Sequence, residues 1–108
     1  MSSFDVIWTL QASRDLEEII DYILVDNFEV ANKLFNKIKT SCTKLKNNPE
    51  KYRVVPELKE VGIIGYREII LSPYRILFKL TAKKVYIFAV IDGRRDMQAF
   101  LFSRLVRD

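Results

Sequence analysis

Between residues 66 and 92 three short β-rich runs follow one another with no room for a helix between them. No other stretch constrains the fold as strongly. Tyr66–Leu71 ends at Ser72-Pro73, Tyr74–Leu80 ends at residues 81–84, and residues 85–91 end at Asp92-Gly93. Consecutive runs rich in Ile, Val, Phe and Tyr, broken by turn residues, predict an antiparallel meander. In the middle run Tyr74, Ile76, Phe78 and Leu80 alternate with Arg75, Leu77 and Lys79. This period of two places an apolar row on one face and two cations on the other. Arg94-Arg95 follow the last run, so the expectation is a curved sheet with arginines on its open face.

Upstream, the periodicity changes. Phe4, Val6 and Trp8 alternate with Asp5, Ile7 and Thr9, which predicts a first strand over residues 4–9. Thr9 is placed to cap a helix over residues 11–25, where Ala12, Leu16, Ile19, Ile20 and Ile23 share one face. Asn27 is placed to cap a second helix, whose stripe runs through Ala31, Leu34, Phe35, Ile38, Cys42 and Leu45. Pro49 stops it. Cys42 lies on that stripe and is expected to be a small core residue. Residues 47–65 hold two prolines and two glycines and read as a loop with a short extended piece over residues 53–55. Met97, Phe100, Leu101 and Leu105 predict a final helix over residues 96–106. The order is β-α-α-β-β-β-α, an α+β fold in which a helical hairpin packs on a small antiparallel sheet. A single domain is expected over residues 1–108.

Composition narrows the chemistry. The chain has no histidine and one cysteine, so Ser-His and Cys-His nucleophiles are excluded and neither a metal site nor a cofactor is expected. One cysteine cannot form an internal disulfide, no signal peptide is expected at MSSFDVIW, and no run is long enough to span a bilayer. The expected location is the cytoplasm, with no membrane partner. Residues 12–29 carry one Arg against six acidic residues, whereas residues 30–53 carry six Lys and one Arg against Glu50. Either the two helices neutralise each other side by side, or the basic surface meets an acidic partner.

The ordered set of residues carries a resemblance. It runs from Ala12, Asp15-Leu16, Ile19 and Tyr22-Ile23 through Asn27, Ala31 and Leu34 to Pro49, Arg53 and Val55-Pro56-Glu57-Leu58. Tyr66-Arg67-Glu68, Tyr74-Arg75-Ile76, residues 85–87 and Gly93-Arg94-Arg95-Asp96 complete it. This pattern resembles the RelE/ParE superfamily of bacterial toxins, and in Val55-Pro56-Glu57-Leu58, Tyr66-Arg67-Glu68 and the Asp92–Asp96 turn it is most similar to the ParE-like branch. The resemblance implies the toxin of a type II toxin–antitoxin system, with DNA gyrase as target, a ParD-like antitoxin as partner, and no direct DNA binding by the toxin alone. The alternatives are a RelE-like ribosome-dependent mRNA endonuclease and a non-toxic binding module.

Cleavage of RNA by its 2′-hydroxyl needs a base, cations for the developing charge, and an acid. The RelE-like arrangement finds its cations at Arg75 and at Arg94 or Arg95. Its lysine positions fall near Tyr66 and Glu68, with Arg67 available after a one-residue slip, and its C-terminal tyrosine falls at Phe100 or Leu101. An arginine is a poor base and a phenylalanine cannot donate a proton. A nuclease reading would therefore rest on Arg75, Arg95, Glu68 and Tyr66, and the sequence leans against it. For Glu68 a salt bridge to a neighbouring arginine is the competing role. Binding is expected to fall to Arg67, Arg75, Lys79, Arg94 and Arg95, unless Arg94 and Arg95 pair with Asp92 and Asp96. Phe100 and Phe102 are expected to meet an antitoxin helix, with Phe102 left exposed by its neighbours' stripe.

Overall fold

The computed structural model describes residues 3–106. Strand β1 is Asp5–Trp8, and helices α1 and α2 are Leu10–Leu24 and Phe28–Thr43. Strand β2 (Arg53–Val54) and the short helix α3 (Pro56–Lys59) fill the segment read as a loop. Strands β3 (Tyr66–Leu71), β4 (Tyr74–Leu80) and β5 (Lys84–Asp92) form the meander, and helix α4 is Met97–Val106. Both predicted caps form: Thr9 Oγ1 accepts from the Ala12 amide at 3.2 Å and Asn27 Oδ1 from that of Val30 at 3.1 Å.

The sheet has five strands in the order β1-β5-β4-β3-β2. The meander pairs are antiparallel, but β1 lies parallel to β5, with Val6 opposite Val85 and Trp8 opposite Ile87. The sheet is therefore mixed rather than purely antiparallel. The reason is legible in β5 itself. Its run Val-Tyr-Ile-Phe-Ala-Val-Ile has almost no polar alternation, as befits an interior strand flanked on both edges and covered on both faces.

Both faces are covered. Leu16, Ile38, Leu45, Ile76, Phe78 and Ile87 form the core beneath the α1–α2 hairpin. A second core joins Val55, Leu58, Leu77, Phe88, Ile91 and Leu101 beneath α3 and α4. Each such side chain contributes roughly 1.5–3 kcal/mol on leaving water. A β-bulge serves the second core: Leu77 faces Ala89 while Phe78 faces Ile87, so Phe88 is the extra residue. The open sheet face expected from the sequence is thus largely closed, because Leu77, Ala89 and Ile91 make that side apolar too. Among the described residues no ion pair joins α1 to α2, and Lys39 instead lies 4.6 Å from the ring centre of Trp8.

Candidate functional site

The face under α3 carries an ion cluster centred on Arg75. Its Nε donates to Glu68 Oε1 at 2.6 Å and its Nη2 to Glu68 Oε2 at 3.0 Å. Its two terminal nitrogens also donate to Glu57, at 2.7 and 2.9 Å, in a fork that matches a carboxylate. Arg53 Nε adds a contact to Glu68 Oε2 at 2.5 Å. The sheet register explains the assembly. Glu68 sits directly between Arg53 on β2 and Leu77 on β4, and Arg75 is two residues along on the same face. Glu57 reaches it from α3, which Pro56 starts at its first position.

Arg75 is therefore not on an open basic patch: it is 8% exposed and doubly paired. Its hydrogen bonds to Glu57 push its pKa further up and hold the Glu57 carboxyl below the usual range. Burial of a charge without partners would be strongly unfavourable, and here both partners are supplied by the chain itself. Gly93 belongs to the same construction. A Cβ at that position would stand 2.8 Å from Arg75 Cδ and 3.2 Å from the Pro73 carbonyl oxygen, so the arginine stem occupies the space of a missing side chain.

The other expected site residues scatter. Arg67 pairs with Phe78 and so points to the α1–α2 side, opposite Arg75, where its Nη1 donates to the Tyr52 carbonyl at 2.7 Å. Lys79 shares the Arg75 face but stays exposed, 5.6 Å from the Tyr66 ring centre. Tyr66 itself packs edge-on against Phe88. Glu68 is occupied by two arginines, as the salt-bridge alternative had it. Arg94 pairs with Asp92 at 2.6 Å, and these hydrogen bonds lower the Asp92 pKa to about 2. Asp96 accepts from the Ala99 amide and caps α4 instead of pairing with Arg95. Phe102 is 61% exposed, whereas Phe100 is half-buried. The residues offered for a nuclease are thus not assembled: Arg75 and Glu68 neutralise each other, Tyr66 packs, and Arg95 lies on the exit turn.

Three ion-pairing positions were not evident from the sequence. Glu57 was visible only as part of Val-Pro-Glu-Leu, and nothing local links it to a strand beyond the next loop. Asp15 and Arg104 form the other pair: Arg104 donates to both Asp15 oxygens at 2.9 and 3.0 Å and to the Phe88 carbonyl at 2.7 Å. Asp15 also accepts from the Val90 amide at 3.0 Å, tying α1, β5 and α4 together. Among the described residues no cluster of His, Cys, Asp or Glu is placed to hold a metal ion.

Grooves flank α4, and two of them bear on function. One, of about 340 Å³, is apolar and lies between α3 with its following turn and α4, lined by Leu58, Val61, Ile63, Leu101, Phe102 and Val106. The other, of about 540 Å³, runs between α1 and the exit turn, past Ile19, Tyr22, Tyr74, Val90, Arg95 and Phe100.

Residues 6–97 match the family model described as the ParE toxin of the type II toxin–antitoxin system parDE. The chain belongs to the ParE toxin family. A relative among characterised proteins is Toxin ParE3 of Caulobacter vibrioides, 28% identical over 97 residues that cover 89% of this chain and 93% of that protein. The fold matches a chain of the chromosomal ParDE toxin–antitoxin system from P. aeruginosa with a TM-score of 0.68 at 22% identity, over 83% of this chain and 96% of the other. As a ParE-type toxin of a type II system, the protein has an antitoxin as its counterpart. In this ParE chain no described helix is long and apolar enough to cross a membrane.

Proposed function

We propose that this ParE toxin acts in the cytoplasm by binding and inhibiting DNA gyrase, and that a cognate antitoxin neutralises it. The observation that carries this reading is the occupancy of Arg75. A toxin that cleaves RNA must present cations to a phosphate and keep an acid and a base beside them. Here the sheet arginine is committed to Glu57 and Glu68, the nearby tyrosine is packed, and no histidine exists. Such a face can recognise a protein, but its arginine and carboxylates are committed to one another. The toxin meets its target without binding DNA directly.

The apolar groove beside α4 suits the antitoxin. Leu101 forms its floor and the exposed Phe102 its rim, so an amphipathic helix laid there would cover side chains that otherwise face water. The test is paired. Purified toxin is added to a gyrase supercoiling reaction and, separately, to a translating extract whose mRNA is mapped for cuts. Loss of supercoiling with intact mRNA supports the proposal; ribosome-dependent cuts in the mRNA refute it. Restoration of supercoiling by the co-encoded antitoxin checks neutralisation.

A further inference from the structure

Strand β5 outlasts its neighbour. It runs to Asp92, but β1 pairs with it only as far as Ile87 before the chain turns into α1. From Phe88 onward the outer edge of β5 faces the groove beside α1. The bulge at Phe88 fixes which groups point there. The Gly93 amide donates to the Pro73 carbonyl at 2.7 Å, so residues 91 and 93 face β4, and residues 88, 90 and 92 present their backbone groups to the edge.

That edge is filled in part by the protein's own side chains. Arg104 takes the Phe88 carbonyl and Asp15 takes the Val90 amide, while the Asp92 carbonyl accepts from the Arg95 amide. The Val90 carbonyl and the Asp92 amide are left, with no partner among the described residues. These two groups bracket Ile91. In parallel pairing a single residue donates to the carbonyl before its opposite number and accepts from the amide after it. One residue of an incoming strand therefore satisfies both, provided it runs in the direction of β1. An antiparallel strand would need the Val90 amide, which Asp15 already holds.

The walls fit such a segment. Asp15 is balanced by Arg104 and Asp92 by Arg94, leaving Arg95 on one wall and Glu18 on the other without ion-pair partners among the described residues. Between them Ile19, Tyr74 and Phe100 offer apolar surface, and Tyr22 stands 81% exposed at the rim.

We propose that this groove is a second antitoxin site, taking an extended segment that adds to the free end of β5 in parallel, with an acidic side chain toward Arg95. It rests on the neutralisation reading above but is separate from the helix groove, which lies across α4. The test uses the co-encoded full-length antitoxin and toxin labelled for residue-resolved amide exchange. On complex formation the Asp92 amide should gain protection of roughly tenfold or more, as expected when an exposed donor enters a strand pair. The Lys83 amide, just before the far end of β5, should not change. Tyr22→Ala and Arg95→Ala should each weaken the complex by about tenfold, the range of a side chain that matters at an interface. A complex that forms with an unprotected Asp92 amide, or that is indifferent to both substitutions while Phe102→Ala weakens it, overturns this site and leaves the helix groove standing. Absence of any complex overturns both.

Discussion

Arg75→Met removes the centre of the ion cluster while keeping an unbranched stem of similar length. Four hydrogen bonds, of 2.6 to 3.0 Å, disappear with the guanidinium. The consequences for the two carboxylates differ. The Glu57 side chain is 24% exposed and can regain water by a small movement of α3. Glu68 has no exposed side-chain surface and keeps only the contact from Arg53, which is itself half in solvent. Stranding a buried charge in this way costs about 3–5 kcal/mol. Against the roughly 5–15 kcal/mol that holds a domain folded, that is a large share. Urea unfolding followed by tryptophan fluorescence from Trp8 measures it, with the slope checked for an unchanged transition. The triple variant Arg75→Met, Glu57→Leu, Glu68→Met should recover most of the loss, since a packed apolar cluster is often as stable as a buried ion pair. A loss below about 1 kcal/mol for Arg75→Met alone, the size expected of an exposed pair, would refute the argument that Arg75 is a buried structural charge.

Gly93→Ala should destabilise by about 1–3 kcal/mol, because the new methyl meets the Arg75 stem at 2.8 Å and the fixed Pro73 carbonyl behind it; a thermal melt measures this. Glu57 is held below its ordinary pKa, first by its hydrogen bonds to Arg75. Its stabilising contribution is therefore complete above the unfolded value of about 4.3 and is lost as pH falls through the lower folded value. The urea midpoint should drop on acidification below about pH 4.3, and drop less in Glu57→Gln. Cys42 is buried and its thiol is pushed up to about 12 by desolvation. A thiol reagent should label it only at the rate of unfolding, and rapid labelling of the native toxin would contradict its place in the core.

The helices were legible because their signals are local: Thr9 and Asn27 cap where the apolar stripes begin, and Ala12, Leu16, Ala31, Ile38 and Cys42 are buried as their spacing requires. The meander was legible for the same reason. Pairing direction at β1 was not, since its alternation specifies a half-buried strand but not its neighbour. Nor was the cover over the second face. Alternation in β4 put Arg75 on the side away from Phe78, which is correct, but it is silent on what lies above that side. The answer sits in Val55, Glu57 and Leu58, in a segment whose prolines and glycines hide a short helix from any periodic test. Asp15 illustrates a second limit. It lies among acidic residues that mostly face water, and its role depends on Arg104, at the opposite end of the chain.

These limits bear on how a toxin of this superfamily should be read. A Tyr-Arg pair on the central strand is compatible with a phosphate-binding arginine and with a structural one, and the residue itself does not distinguish them. The carboxylates do. An arginine that must meet a phosphate cannot afford two anions at hydrogen-bond distance, whereas one that pins a short helix to a sheet requires them. In this chain Glu57 and Glu68 answer Arg75, and Gly93 makes room for its stem. The cation that looked most like a functional group is thereby spent on the fold. The partner surfaces proposed above both lie at the periphery: the apolar groove along α4, and the unfinished edge of β5 with Arg95 beside it.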